Sequence, residues 1–554
     1  MTVVHPTSTS PAREPEVAEL DAVVVGAGLS GLYAMYRLRR LGLRVRGIEA
    51  GDGVGGTWYW NRYPGCRCDL PTIEYSYSFD AELEQEWSFP ETMSVQPEIE
   101  RYLNHVADRF DLRRDFRFGV RVTAATYDES TGRWIVETNL GDRYAVRWCV
   151  MATGSLSAPN LPPVPGIDSF AGSIVHTGLW PREGVELQGK RVGVIGTGSS
   201  GMQAIPKIAE VAGELTVFQR TPNYAFPVRA KPTDPDFERY VKANYRELRA
   251  LQRGSRFGIS GFTRPAADGN GEPQAVGAGA FADVSVLSDP VINRQMQDLF
   301  ARMVRKRVND EATADALIPT DYPIGCKRPV VEAGYYETFN QESVTLVDLR
   351  QGGITEITAT GVRTEQGDYP CDVLVFATGF DALTGPLTRI DVRGRDGRSL
   401  RAKWANGPRA YLGLVTAGFP NLFLITGPGS PSVLSNMVVS IEQHVDWVAE
   451  AIEHMRSNGM AVMDADPNAE DGWVDQVHDV AQGTPWTAPS CNSFYLGANI
   501  EGKARVFMPY VGGVAQYRAE CAEVVKDGYR GFVLTPAIAD GVPPFSASPM
   551  VAPR

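Results

Sequence analysis

Two glycine-rich turns of the pattern Gly-x-Gly-x-x-Gly occur in this chain, at residues 26–31 and 196–201. Each follows an apolar stretch typical of a β-strand and precedes a stretch with helical periodicity, which is where such a turn holds a pyrophosphate. Glycines let the main chain approach the phosphates, and the following helix offers free amide donors. The pattern predicts two dinucleotide sites, with contacts from Gly26, Gly28, Ser30 and Gly31 at the first and from Gly196, Thr197, Gly198, Ser199, Ser200 and Gly201 at the second.

The residue that ends the second strand of each unit indicates which nucleotide binds. Glu49 ends the strand after the first turn, and a carboxylate there accepts hydrogen bonds from ribose hydroxyls, as FAD or NAD requires. Arg220 has the equivalent place after the second turn, where a guanidinium pairs well with a 2′-phosphate. The alternative for Arg220 is a solvated cation at a strand end. Together the two residues predict a flavoprotein that takes hydride from NADPH.

Residues 55–69 place two Trp and two Tyr just beyond the first nucleotide unit. Such a cluster predicts a wall against a flat ring system, and an aromatic corner of the core is the alternative. Cys66 and Cys68 suggest a redox-active pair beside a flavin. Their spacing speaks against it, because a Cys-x-Cys disulfide is strained and disulfide reductases use wider spacings.

The elements around the two turns predict an α/β chain with two Rossmann-like dinucleotide-binding domains, for FAD and NADP, and an inserted helical subdomain. Within the insert, helices are expected over 237–252 and 293–308, with a Gly/Pro/Ala-rich stretch, 254–279, between them. We expect flexible tails at 1–19 and 538–554, a FAD-binding domain from 20–155 and 376–537, an NADP-binding domain from 156–230 and 321–375, and the helical insert at 231–320.

Composition excludes several classes of protein. The 554 residues are 43% hydrophobic and 22% charged, as in a globular enzyme, and the net charge of −12 is spread along the chain, which argues against binding of nucleic acid. Neither a long apolar run nor a secretory signal is visible, so we expect a cytoplasmic protein with no membrane partner, as a monomer or weak homo-oligomer. Seven scattered Cys predict reduced thiols, and only six His make a metal site unexpected.

One further motif is more specific than the glycine turns. Residues 170–181 match the pattern Phe-x-Gly-x-x-x-His-x-x-x-Trp-Pro, and residues 56–69 match a second signature, Gly-x-Trp, then Tyr-Pro-Gly, then Asp. In both respects the chain resembles the type I Baeyer-Villiger monooxygenases. The first motif lies on a connection between domains, so a conformational role is expected for His176. The motif residues are Phe170, Gly172, His176, Trp180 and Pro181.

The resemblance implies an NADPH- and O₂-dependent conversion of a ketone, bulky and cyclic, aryl or steroid-like, to an ester or lactone through a flavin C4a-peroxide. The catalytic arginine of the family then corresponds to Arg328, which suits the task because it stays charged and cannot act as an acid. Asp69 corresponds to the carboxylate that positions this arginine. Lys327 joins Arg220 and Thr221 around the 2′-phosphate.

The resemblance implies further contacts. Phe494 stands where many relatives place a Trp whose indole N–H reaches the nicotinamide nucleotide, a hydrogen bond that Phe cannot donate. The remaining residues expected at the cofactors are Thr57, Trp58, Asp69, Tyr75 and Met437, and those expected at the substrate pocket are Ser430, Pro431, Ser432, Val433 and Leu434.

Two other functions stay open at this point. The same flavin chemistry serves an oxygenase that acts on sulfides or amines. The other alternative is that this chain binds both nucleotides without catalysis and acts as a flavin/NADP redox sensor. The presence of Asp69, Lys327 and Arg328 together argues against the sensor, and the sequence leaves the identity of the ketone undetermined.

Overall fold

The structure is a computed structural model that describes residues 17–228, 230–259, 263–264, 274–275 and 285–536. The expected tail 538–554, most of the tail 1–19 and most of the stretch 254–279 lie outside the described residues. The expectation that the first tail extends to residue 19 is wrong. Residues 17–19 begin the first strand, because they pair with residues 143–145 of the neighbouring strand.

The first nucleotide turn belongs to a sheet of eight strands that is parallel around the turn and antiparallel toward one edge. Its strands come from two parts of the chain that are distant in sequence, because the segment at 391–424 returns to pair with strands formed before residue 152. In spatial order the strands are Asp391–Arg393, Val122–Asp128, Arg133–Thr138, Arg143–Met151, Val17–Val25, Val45–Ile48 and Phe116–Arg117, and Leu422–Leu424 also pairs with Arg143–Met151.

The second nucleotide turn belongs to a separate, fully parallel sheet of five strands. Its central strand, Arg191–Ile195, is buried on both faces over four of its five residues, as expected for a strand covered by helices on each side. In spatial order the strands are Val344–Asp348, Glu214–Gln219, Arg191–Ile195, Val373–Phe376 and Ser173–His176. In both sheets a glycine turn joins a parallel strand to a helix, which confirms the predicted α/β fold with two Rossmann-type units.

The expected helix over 237–252 is two helices, Pro235–Ala243 and Tyr245–Gly254. The break falls at Asn244, whose side-chain amide donates to the carbonyl of Tyr240 at 2.7 Å and so competes with the helical main chain. The helix expected over 293–308 is Pro290–Arg307. It begins earlier because the Asp289 carboxylate accepts the first free main-chain N–H groups.

The remaining helices cover the two sheets and connect the units. The longest of them, Met437–Ser457, packs against Leu29–Arg40, the helix that follows the first glycine turn. The others are Thr57–Trp60, Ala81–Glu86, Gln96–Arg109, Ser199–Ala209, Ser285–Ser288, Glu311–Ala316, Tyr335–Thr338, Gly385–Thr388, Leu400–Lys403, Pro467–Ala481 and Val514–Lys526, and the short remaining strands are Ala225–Pro227, Thr263–Arg264, Gln274–Ala275, Val330–Glu332, Ile354–Thr358, Gly361–Thr364, Gly367–Pro370, Met460–Ala465 and Phe532–Pro536.

Candidate functional site

The first glycine turn lies so close to neighbouring main chain that side chains are sterically excluded from it. Gly26 has φ +109°, and a Cβ there would approach the carbonyl oxygen of Ala152 to 2.5 Å. A Cβ on Gly31 would overlap the carbonyl oxygen of Gly26, and one on Gly28 would press on Gly56 at 3.2 Å. Ser30 is buried in the first turn of the helix that follows. The turn therefore fits a pyrophosphate at the helix N-terminus.

Glu49 lies directly beside this turn, as predicted for a ribose contact. Its carboxylate is buried and accepts the N–H of Ala27 and the N–H of Gly51, each at 2.7 Å. Burial raises the pKa of Glu49, and the two main-chain donors oppose that rise. The carboxylate keeps further lone pairs for ribose hydroxyls.

The aromatic loop brings two predicted cofactor residues together. Trp58 lies in the short helix Thr57–Trp60, and its indole N–H donates to the Tyr75 hydroxyl at 3.4 Å. The two rings meet edge to face with their centroids 5.8 Å apart. Burial raises the pKa of Tyr75 well above its usual range, while Arg328 lowers it in part, which places this aromatic pair near that arginine. Thr57, the first residue of the helix, is exposed.

The second glycine turn repeats the geometry of the first. Gly196 has φ +108°, and a Cβ there would lie 2.5 Å from the carbonyl oxygen of Ala377. A Cβ on Gly201 would overlap the carbonyl of Gly196, whereas Gly198 faces open space. The Thr197 hydroxyl donates to the carbonyl of Thr221 at 3.2 Å and so links the turn to the end of the next strand. Ser199 is exposed and Ser200 half-buried at the start of the helix.

Arg220 and Lys327 lie close enough to repel each other. Burial and, to a smaller extent, the charge of Arg220 lower the pKa of Lys327 to about 8, against the opposing charge of Asp321. The Lys327 ammonium lies 4.8 Å from the centroid of the Tyr322 ring, whereas Arg220 is exposed. Two cations held together with no carboxylate hydrogen-bonded to Lys327 among the described contacts fit a dianionic 2′-phosphate.

The motif at 170–181 lies on an edge strand of the second sheet. The strand Ser173–His176 pairs with Val373–Phe376, and the His176 ring is buried, with its Nδ1 accepting the N–H of Gly178 at 2.9 Å. Burial lowers the pKa of His176, so the ring is neutral at neutral pH. A Cβ on Gly172 would overlap the carbonyl of Asp372, and Trp180 is buried while Phe170 and Pro181 are half-buried.

Arg328 and Asp69, which are 259 residues apart in sequence, form an ion pair. The Nε–H of Arg328 donates to Oδ2 of Asp69 at 2.7 Å, and Nη1–H donates to the carbonyl oxygen of Val433, also at 2.7 Å. Burial lowers the pKa of Arg328, but the charge and hydrogen bond of Asp69 outweigh it and raise the pKa above its usual value. The guanidinium is therefore permanently charged and fixed from two sides.

Arg328 forms part of the wall of a cavity that is open to solvent on one side and is lined mostly by apolar residues. The lining comes from the helical insert, from the segment around Arg328 and from the C-terminal part of the chain. Its residues are Leu70, Phe257, Ile259, Val286, Leu287, Ile324, Gly325, Arg328, Pro329, Leu434, Ser435, Trp486 and Tyr495. Apart from Arg328 and Leu434, these were missed by the sequence analysis, because no local pattern marks residues that meet only after folding.

Of the five residues predicted for the substrate pocket, the structure places Leu434 in the cavity wall. Val433 contributes its carbonyl to Arg328 instead. Ser430, Pro431 and Ser432 lie buried behind the wall, and both serine hydroxyls donate to main-chain carbonyls of their own loop. Met437 begins the helix that follows this loop.

Phe494 lies next to Tyr495, with the two ring centroids 4.3 Å apart. It is half-buried in the short turn Phe494–Leu496. The turn thus places an apolar ring where the resemblance expects an indole N–H, and that donor is missing here.

The expectation that all seven cysteines are reduced is wrong. Cys326 and Cys491 form a disulfide, with Cα atoms 5.5 Å apart across 165 residues of sequence, a proximity that only the folded chain creates. Cys66 and Cys68 are free and buried, so they do not form the redox pair considered for them. Burial raises the pKa of Cys66 to about 12.

No group of three or more His, Cys, Asp or Glu is arranged to hold a metal ion within the described ranges. Nor does any described helix combine the length and apolar character that crossing a membrane requires.

The model of the pyridine nucleotide-disulphide oxidoreductase family matches residues 20–248, which contain both glycine turns. Full-length proteins are also similar to this chain over nearly its whole length. Acetone monooxygenase (methyl acetate-forming) of Gordonia sp. (strain TY-5) is 39% identical over 93% of this chain and 99% of its own length. A Baeyer-Villiger monooxygenase of Pseudooceanicola batsensis is 40% identical over 93% of this chain and 96% of its own.

A solved structure of oxidized steroid monooxygenase bound to NADP is also similar to this chain. The sequence identity is 48%, the TM-score is 0.86, and the match covers 94% of this chain and all of that one. At such identity and coverage the fold is shared.

Proposed function

The chain belongs to the Baeyer-Villiger monooxygenases, enzymes that depend on FAD and NADPH, and on that premise we propose that it converts a bulky cyclic, aryl or steroid-like ketone to an ester or lactone. The observation that carries the proposal is a guanidinium, fixed by a carboxylate and a main-chain carbonyl, in the wall of a mostly apolar cavity. Binding sites for small molecules are typically lined in this way, by apolar side chains with a few polar groups.

Residues of both glycine turns would hold the cofactors. FAD fits the first turn with Glu49 toward its ribose, and NADP fits the second turn with Arg220, Thr221 and Lys327 toward its 2′-phosphate. When bound, the flavin, reduced by NADPH, supplies the activated oxygen from O₂ that enters the ketone.

Arg328 is the principal catalytic residue of the proposal. Its charge stabilises negative oxygen beside mostly apolar side chains, where electrostatic interactions are stronger than in bulk water. Because its pKa is raised, it holds this charge without acting as an acid toward that oxygen. Asp69 fixes the direction of the guanidinium through Nε, so that the Nη groups can be directed into the site.

The apolar lining of the cavity supports the bulky substrate class. Phe257, Val286 and Leu287 from the insert and Trp486 from the C-terminal part all contribute to it, and such aliphatic and aromatic side chains suit fused or aromatic rings. A similar protein is named for acetone, a small ketone, so membership of the family leaves substrate size open. The similarity to a steroid monooxygenase favours the larger class.

The test is turnover by purified FAD-loaded protein with NADPH and ¹⁸O₂, using acetone, cyclohexanone, cyclohexyl phenyl ketone and a steroid with an acetyl side chain. We expect esters or lactones that carry one ¹⁸O atom, with kcat/KM higher for the two large ketones than for acetone. A sulfide assayed in parallel tests the heteroatom alternative. NADPH binding with no labelled product from any ketone or sulfide would favour the redox sensor and refute the proposal.

A matched pair of variants links substrate size to the cavity. Leu287→Phe narrows the cavity and is expected to lower kcat/KM for the large ketones more than for acetone. Leu299→Phe, at a leucine that is half exposed on the helix Pro290–Arg307, is the control and should leave both values unchanged. Equal losses for large and small ketones in Leu287→Phe would contradict the assignment of this cavity.

A further inference from the structure

Tyr495 is a cavity residue that no motif marked, and its hydroxyl is directed to the same region as Arg328. We propose that this hydroxyl donates a hydrogen bond to the carbonyl oxygen of the ketone, so that Tyr495 and Arg328 together orient the substrate. The inference rests on the proposed function, since it names the residue that binds the ketone group.

The cavity offers few polar side chains for this task. The four lining side chains with a polar atom that could donate a hydrogen bond to the ketone are Arg328, Ser435, Trp486 and Tyr495. The Ser435 hydroxyl is already engaged, because it donates to the carbonyl of Ser432 at 2.9 Å or shares a hydrogen bond with Ser440 at 2.7 Å. A ketone buried here needs a donor for its oxygen, since an unpaired carbonyl in an apolar site is costly.

The chemistry of the Tyr495–Arg328 pair decides which way the hydroxyl proton points. The guanidinium, which lies near the phenolic oxygen, has five N–H donors and no acceptor, so it can only donate to that oxygen and leaves the hydroxyl proton for another partner. Burial raises the pKa of Tyr495 to about 12, although Arg328 lowers it in part, so the hydroxyl is protonated at neutral pH. Tyr495 is therefore a neutral donor beside a charged one.

The main chain holds Tyr495 in this place. The turn that contains Tyr495 ends at Gly497, which has φ +68°. The carbonyl oxygen of Tyr495 accepts the N–H of Met508 at 2.9 Å. Four residues before Tyr495, Cys491 is covalently joined to Cys326, which lies two residues before Arg328. The segment that carries the tyrosine and the segment that carries the arginine are thus tied together.

The test uses calorimetry on the oxidised protein loaded with FAD and NADP⁺. It compares the dissociation constant of a ketone, cyclohexyl phenyl ketone, with that of a hydrocarbon of similar shape, benzylcyclohexane. We expect wild type to prefer the ketone and Tyr495→Phe to reduce that preference about fivefold, the effect of one neutral hydrogen bond. Tyr336→Phe is the matched control, because its buried hydroxyl has no hydrogen-bond partner among the described atoms and lies outside the cavity lining.

Three results would overturn the inference: no ketone preference in wild type, an undiminished preference in Tyr495→Phe, or loss of the preference in Trp486→Phe instead. Kinetics give a second readout that a purely structural role would not produce. Tyr495→Phe should lower kcat/KM for the ketone but not for benzyl phenyl sulfide, which has no carbonyl, whereas a displaced Arg328 or a distorted cavity lowers both. If the ketone preference is present but no ester forms, the proposed function fails while the role of Tyr495 in ketone binding stands.

Discussion

The affinity of the second nucleotide site for NADP⁺ should depend on pH through Lys327. In the structure burial and the nearby charge of Arg220 together lower the pKa of this lysine to about 8. A 2′-phosphate between the two cations stabilises the charged lysine and raises its pKa again. Binding therefore selects the protonated side chain, which is abundant below pH 8 and becomes scarce above it.

The size of the effect follows from this pKa. With a value of about 8, the protonated fraction falls from roughly nine-tenths at pH 7 to roughly one-tenth at pH 9, so affinity for NADP⁺ falls about tenfold over this range. NAD⁺ lacks the 2′-phosphate and should show no such change. Lys327→Arg keeps its charge throughout and should remove the pH dependence while retaining binding.

The assay is a calorimetric titration of FAD-loaded protein with NADP⁺ and, separately, with NAD⁺ at several pH values between 7 and 9.5. Arg220→Gln provides the internal check, because removal of the repelling cation should move the midpoint of the pH dependence upward while weakening NADP⁺ binding overall. A ratio of the NADP⁺ and NAD⁺ dissociation constants that stays constant over the range, or a midpoint that moves downward in Arg220→Gln, would refute the reasoning.

Three further outcomes are expected. Arg328→Ala should leave reduction of the flavin by NADPH intact in stopped-flow measurements but lower ester formation by at least about 10²-fold, and full oxygenation would refute its catalytic role. Gly31→Ala places a Cβ against the carbonyl of the turn's first glycine and should lower the FAD content of the purified protein, whereas Gly472→Ala, in a helix with open space around it, should bind FAD normally. Alkylation of the denatured, unreduced protein should label five thiols by mass spectrometry and leave the peptides of Cys326 and Cys491 linked, and seven labels would contradict the disulfide.

The helical insert shows where sequence patterns stop being sufficient for the fold. Apolar periodicity predicted helices there, and helices form, but the break at Asn244 depends on a single side chain that competes with the main chain. Similarly, residues 17–19 look like part of a polar tail in the sequence and join a strand only because a partner strand lies beside them.

The two nucleotide turns were determined by the sequence alone, and the physical reason is local. A glycine pattern between a strand and a helix permits the positive φ and the close main-chain contacts of the turn, which side chains at these positions would prevent. The residues at the strand ends, a carboxylate in one unit and a guanidinium in the other, likewise predict a contact with a ribose hydroxyl or with a phosphate from their side-chain chemistry alone.

The cavity was decided only by the tertiary structure. Arg328 meets Asp69 across 259 residues, and the cavity wall joins side chains from the insert, the arginine segment and the C-terminal part. Tyr495 and the Cys326–Cys491 disulfide belong to the same class, since neither residue type carries a local signal for its partner. Side chains distant in sequence become neighbours through packing of whole elements, and no short stretch of sequence encodes that contact.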